Sequence, residues 1–395
     1  MPKISDLGAR MPSSPIRKLA PLATAAKKQG VKVYHLNIGQ PDLPTPPQAL
    51  QALKHVDRKT LEYSPSEGYS SLREKLVGYY KRYNTNVTPD EIIVTCGGSE
   101  AILLGLLSCL DPGDEIIMVE PGYANYISFA KTAGVTVKTV TSRIENGFAL
   151  PPVDDFEKAI TPKTKAILLC NPSNPTGYVY TPEELQRIKE IVVKHDLFLF
   201  SDEVYREFVY NGKPYLSALQ LGIPEHVVMI DSVSKRYSEC GIRIGMLVTH
   251  NKNVHDTVMK FCQARLSPPL LGQIVAEASI DGTEDYAKAC FDEYKARRDF
   301  FIQGLNEIPG VYSPMPEGAF YTVVSLPVAD AEDFCRWLLT DFRLNGETVM
   351  MAPAAGFYST PGLGRNQVRM AYVLKKEDLA KALKILRAAL EAYNK

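Results

Sequence analysis

The chain has 395 residues, 45% of them hydrophobic, enough to bury a large core and to divide into two domains. Lysine plus arginine balances aspartate plus glutamate at 45 each, so neither net charge nor a basic tract points to nucleic acid or an anionic membrane, and no apolar run reaches membrane-spanning length. Seven scattered cysteines, odd in number and without a CxxC, argue against a disulfide framework or a zinc site and suit reduced thiols in the cytoplasm, with small molecules as partners.

The first thirty residues carry Arg10, Arg17, Lys18 and several serines, but Asp6, the prolines and the lack of an apolar block read as mature protein rather than a targeting peptide. From about Glu91 to His250, short apolar runs alternate with amphipathic stretches. That pattern predicts an α/β fold with a mostly parallel sheet covered by helices. Seven strands are predicted, at EIIVTCG, DEIIMVE, VTVKTV, KAILLCN, LFLFSDE, VVMIDS and IGMLVTH. Helices are predicted between them, at SEAILLGLLSCL and at TPEELQRIKEIVVKHD, where Thr181 and Glu184 stand at capping-box spacing.

After about Asp281 the pattern changes to a long helix, EDYAKACFDEYKARRDFFIQGLNE, then GAFYTVVSLP, a helix around Trp337, QVRMAYV and a last helix, KKEDLAKALKILRAALEAY. This reads as a smaller α+β domain. The larger domain is expected over 46–283 and the smaller over 1–45 together with 284–395. Gly362-Leu363-Gly364 lacks a third glycine and follows no convincing strand, which argues against a dinucleotide site.

Polar residues gather at the strand ends, where open α/β sheets bind ligands. In DSVSKRYSECGIRIG, Lys235 follows a buried strand, a setting that shifts an amine's pKa and suits covalent chemistry. Gly97, Gly98 and Ser99 open a helix whose free N–H groups attract anions. The six histidines show no metal-ligand spacing.

Taken together, NIGQPD (37–42), YSPSEGYSSLR (63–73), GGSEA (97–101), NPSNPTG (171–177), SDEVY (201–205), SVSK with GIRIG (232–245) and QVRMAYV (367–373) resemble the class I pyridoxal-phosphate aminotransferases, the aspartate aminotransferase group, over nearly the whole chain and in the family's order. The resemblance implies a fold-type-I transferase whose large domain holds the seven-stranded sheet, with pyridoxal 5'-phosphate as cofactor. It also implies ping-pong transfer between amino acids and 2-oxo acids. Lys235 matches the lysine that bonds to the cofactor's aldehyde carbon and later shuttles a proton. Burial near cations such as Arg243 is expected to lower its pKa.

Asp202 matches the carboxylate that keeps the pyridine nitrogen protonated, and Tyr205 and Asn174 match the partners of the phenolic oxygen. Gly98, Ser99, Ser232 and Arg243, with Ser234, match the phosphate cradle. Tyr123 stands where many relatives stack a tryptophan on the ring. Arg369 matches the two-pronged donor for the substrate's α-carboxylate, with the backbone of Gly39 beside it. Tyr63 matches a tyrosine that reaches the phosphate of a second subunit, which implies a homodimer with shared active sites.

The resemblance makes aspartate the leading donor and 2-oxoglutarate the expected acceptor, although the cations that commonly read a distal carboxylate in the family are missing: Ser99 and Cys262 match positions where some relatives have lysine or arginine. Arg265 lies nearby but out of register, and the segment MPSSPIRKL offers Ser13, Ser14 or Arg17. The rivals are a PLP-dependent C–S β-lyase or another fold-type-I PLP enzyme, and, from a different class, a ligand-sensing, non-catalytic module. The module is disfavoured because no basic winged-helix segment precedes NIGQPD.

Overall fold

The computed structural model describes residues 2–282 and 284–393. Of the expected domain bounds, Thr283, Met1 and the last residue, Lys395, lie outside the described residues, as does Asn394. Twelve strands run in chain order among those described: β1 (Lys32–His35), β2 (Ile92–Thr95), β3 (Glu115–Glu120), β4 (Thr136–Thr141), β5 (Thr164–Cys170), β6 (Phe198–Asp202), β7 (Val227–Ser232), β8 (Gly245–Val248), β9 (Tyr321–Ser325), β10 (Glu347–Met350), β11 (Ala352–Pro353) and β12 (Gln367–Ala371).

All seven predicted strands form one sheet in the order β2-β8-β7-β6-β5-β3-β4. It is parallel except for β8, which runs antiparallel to both its neighbours. The central strands read as unbroken apolar runs because helices cover both faces. In β5, Ala166 to Cys170 are buried without interruption. Each fully buried Leu or Ile there contributes about 1.5–3 kcal/mol relative to exposure. The strands' carboxyl ends carry the polar residues Asn171, Asp202 and Ser232, which therefore emerge along one edge of the sheet.

The helix predicted at TPEELQRIKEIVVKHD spans Pro182–Lys194, and its capping box is formed: Glu184 N–H donates to Thr181 Oγ1 (3.2 Å) and Thr181 N–H to Glu184 Oε2 (2.9 Å). The helix opened by the paired glycines spans Gly98–Cys109. The later helices are Glu284–Asn306, Ala331–Thr340 and Lys376–Tyr393.

Two small sheets stand apart from the large one. β9 and β11 flank β12 in an antiparallel trio, and β1 pairs in parallel with β10 across more than three hundred residues of sequence. The β1–β10 ladder ties the N-terminal segment to the C-terminal region. A single apolar cluster runs from Leu19 through the large sheet to Leu390.

Candidate active site

Every site residue expected from the sequence except Tyr63 lines one cavity of about 730 Å3 at the carboxyl edge of the large sheet. On one side, Ser232 ends β7 opposite Gly245 of β8, and its hydroxyl donates to Ile244 O (2.9 Å) while accepting from Ser234 N–H (3.1 Å). Arg243, held at φ +59°, donates to Cys240 O (3.0 Å) and reaches toward Cys96 O. Gly97 makes room for it: at φ +77°, a Cβ there would lie 2.3 Å from the guanidinium. The start of the Gly98–Cys109 helix, two serine hydroxyls and a guanidinium thus converge on a ready-made anion site.

Lys235 sits not on the strand but in the one-turn helix Val233–Arg236 that follows it, capped by Ser232. Its Nζ donates to Gly39 O (3.1 Å) and lies 3.7 Å from Cys240 Sγ. The expected fall in its pKa is not found. Burial pulls the value down, but Tyr321, Cys240 and Tyr123 outweigh it and the net direction is upward. The amine is surrounded by phenols and a thiol rather than by cations, so it holds its proton at neutral pH.

Asp202 ends β6 and is buried, its Oδ2 accepting from Tyr126 Oη (2.6 Å) and its Oδ1 from Val204 N–H (3.3 Å). Burial pushes its pKa up to about 6, with the hydrogen bond from Tyr126 opposing the rise. At pH 7 the group is ionised, able to accept from a protonated ring nitrogen. Beneath it, Asp231 accepts from Tyr80 (2.9 Å) and pairs with Arg236, while Glu203 pairs with Arg206 at 3.1 Å. Breaking such a buried pair costs about 3–5 kcal/mol, so this network fixes the ends of β6 and β7.

Arg369 lies on β12 and is 2% exposed. It donates to Asn174 Oδ1 (3.1 Å) and to Asn37 O, and stands 4.7 Å from the ring centroid of Tyr321. Its Nε is buried with no hydrogen-bond partner among the described residues. Desolvation lowers its pKa. Tyr205 Oη lies 3.1 Å from Tyr321 Oη, which also donates to Gly39 O (3.3 Å). A Cβ at Gly39 would fall 1.9 Å from that hydroxyl, so only glycine fits. Tyr123 lines the cavity, its hydroxyl accepting from Asn125 Nδ2 (2.7 Å).

Tyr126, Tyr321 and Asn37 escaped the sequence reading. PGYANY and GAFYTVV look like ordinary turn and strand chemistry, and nothing local marks a tyrosine that meets Asp202 or Lys235 through the fold. Tyr63 is 75% exposed, so it is not packed into the core of this chain. Cys262 is sealed in the core, and Arg265 is held by Glu100 (3.2 Å) and Ser66 O (2.9 Å). Neither lines the cavity, whereas Ser14 and Arg17 do.

A mostly parallel sheet with a lysine, an ionised carboxylate and an anion cradle at its carboxyl edge defines the fold-type-I class of PLP-dependent transaminases. The profile of the family described as aminotransferase class I and II matches residues 31–386, and the chain belongs to that family, in its aspartate aminotransferase group.

The chain is 31% identical to the aspartate/prephenate aminotransferase of Thermus thermophilus over 93% of its length and 96% of the relative's. It is 34% identical to a putative aminotransferase of Bacillus subtilis over 96% of each. Among solved structures, the Thermus thermophilus aspartate aminotransferase with maleate matches with a TM-score of 0.90 at 30% identity, covering 98% of this chain and all of that one. An alanine aminotransferase from Pyrococcus furiosus matches with the same score and identity over 99% of this chain and all of that one. No described helix is long and apolar enough to cross a membrane.

Proposed function

We propose that the chain moves the amino group of an aspartate-like L-amino acid to 2-oxoglutarate in two half-reactions, with pyridoxal 5'-phosphate held in the 730 Å3 cavity. The observation that carries this reading is that an anion cradle, a buried lysine, an ionised buried carboxylate and an arginine with an unpartnered donor line the same cavity. That donor set fits the cofactor. Gly98, Ser99, Ser232, Ser234 and Arg243 would take its phosphate, Asp202 its ring nitrogen, Asn174 and Tyr205 its phenolic oxygen, and Tyr123 its ring face.

When bound, the cofactor supplies an aldehyde that exchanges amines and a protonated ring that withdraws electrons from the substrate's α-carbon. The chain's own residues then set the course. Arg369, held by Asn174 and Asn37, orients the α-carboxylate. The Lys235 amine, in its unprotonated form, would carry the α-proton away from the substrate and give it back during transfer. Asp202 stays ionised above about pH 6 and holds the ring nitrogen's proton in place. Tyr321 ties Tyr205 to the Gly39 carbonyl that receives Lys235.

The exposed side chain of Tyr63, with Leu61 beside it, supports a homodimer in which each subunit completes the other's phosphate site. The large sheet falls entirely within the proposed 46–283 domain, and the two small sheets draw their strands only from 1–45 and 284–395. Seven unpaired cysteines are in keeping with the cytoplasm. Adding aspartate to the cofactor-loaded protein tests the reading. Loss of the visible absorbance, with oxaloacetate formed and the band restored by 2-oxoglutarate, supports it. Pyruvate and ammonia without an acceptor would assign the lyase instead.

A further inference from the structure

Five charged side chains line the cavity, Arg17, Asp202, Lys235, Arg243 and Arg369, and the fold already engages four of them. Asp202 accepts from Tyr126, Lys235 donates to Gly39 O, Arg243 donates to Cys240 O beside the glycine-started helix, and Arg369 is pinned by Asn174 and Asn37. The guanidinium of Arg17 is exposed at the cavity mouth and has no ion-pair or side-chain hydrogen-bond partner among the described residues.

Its backbone, in contrast, is anchored on both sides. Pro15 packs against Gly356, where an added Cβ would lie 2.4 Å from the proline ring. Lys18 forms an ion pair with Glu332, and Leu19 is 2% exposed within the core. One residue links this anchored turn to the substrate arginine: Asn37 Nδ2 donates to Ile16 O (3.0 Å), and Asn37 O accepts from Arg369. The Asn37 side chain is itself oriented, with His35 Nδ1 3.2 Å from its Oδ1. Two guanidiniums, one buried and one exposed, therefore line the same cavity, and Asn37 links the backbone that carries the second to the first.

We propose that Arg17 is the residue that reads the substrate's side chain, pairing with the distal carboxylate of a C4 or C5 dicarboxylate whose α-carboxylate is held by Arg369. The inference rests on the aspartate-like donor reading and names the cation that reading requires, since Cys262 is buried in the core and Arg265 is held by Glu100. A guanidinium suits the task because its planar fork meets a carboxylate with two parallel hydrogen bonds. Its exposed setting limits the discrimination it confers, so selectivity for dicarboxylates should be graded rather than absolute.

The test compares wild type, Arg17→Met and Arg17→Lys as cofactor-loaded proteins. Isothermal titration gives the dissociation constants of maleate and of acetate, and kinetics gives kcat/KM for aspartate and for alanine. In Arg17→Met, maleate should bind on the order of 10-fold more weakly relative to acetate, and the aspartate-to-alanine ratio of kcat/KM should fall by a similar factor. Arg17→Lys should recover part of both. Equal weakening of maleate and acetate would overturn the assignment, because the turn would then act on the whole site, and so would ratios within twofold of wild type. A wild type that transaminates alanine but shows no preference for maleate over acetate would overturn the dicarboxylate reading and this inference with it. A wild type without transamination of any donor would instead overturn the transaminase reading itself.

Discussion

Replacing Asp202 with asparagine should make the cofactor-free protein more stable while disabling the enzyme. Burial raises the carboxyl from its ordinary 3.8 to about 6. At about 1.36 kcal/mol per pH unit, holding this group ionised in the native state at pH 8 costs about 3 kcal/mol. The sign follows from proton binding. Between about pH 4 and 6 the native state holds a proton that the unfolded chain has released, so stability falls as pH rises through that window and stays low above it. The cost is about half as large at pH 5.

Asparagine cannot ionise and escapes this cost, although its single oxygen replaces only one of the two acceptors that Tyr126 and Val204 use, which leaves a net gain of about 1–3 kcal/mol at pH 8. An unfolding entropy of about 2.1 cal/mol/K per residue over 395 residues makes that a rise in Tm of about 1–4 °C. Differential scanning fluorimetry on cofactor-free wild type and variant at pH 8 and pH 5 measures it, and the gap should narrow at pH 5. The same substitution should lower kcat by on the order of 10²-fold or more, because the ring nitrogen loses its buried charged partner. A Tm gap that does not change with pH, or a variant less stable at pH 8, would refute the reasoning.

Gly97→Ala forces a residue with a Cβ to a φ of +77° and drives its methyl into Arg243. The cofactor's dissociation constant, measured by fluorescence titration, should rise about tenfold or more, and an unchanged constant would remove Arg243 from the phosphate site. Arg369→Lys leaves a single ammonium to serve Asn174, Asn37 and substrate, so kcat/KM for aspartate should fall on the order of 10²-fold; a change within threefold would show that the α-carboxylate binds elsewhere. Lys235→Ala should bind cofactor without multiple turnover. Mixed with Tyr63→Phe chains it should give hybrids with one intact site and regained activity, and no gain after verified subunit exchange would count against shared sites.

The large sheet was legible because its strands are continuous apolar runs that end in polar residues, a pattern that a parallel sheet buried on both faces imposes. The chain of Asn174, Asp202, Lys235 and Arg369 was legible for a related reason. Each sits in or beside a turn at the end of a strand, or on one, and the motifs together leave little freedom in where they meet. Tyr126 and Tyr321 were not legible, because a buried tyrosine is ordinary core until the fold sets its hydroxyl 2.6 Å from Asp202 or 3.1 Å from Tyr205.

The β1–β10 ladder was hidden for another reason: a four-residue strand such as KVYH carries too few alternations to announce a partner so distant in sequence. Lys235 went against expectation because its pKa depends on which side chains face it. Those are the phenols of Tyr123 and Tyr321, which the fold brings from distant segments, and the thiol of Cys240 in the same turn region.

The most direct test of the central claim, that Lys235 holds the cofactor and hands the amino group on in two separable halves, is borohydride reduction of the loaded protein followed by peptide mass spectrometry. The cofactor's mass should appear on the peptide containing Lys235. It should be lost when aspartate is added before reduction without an acceptor, and restored when 2-oxoglutarate follows. Cofactor mass on another lysine or on none, or label at Lys235 that aspartate leaves untouched, would contradict it.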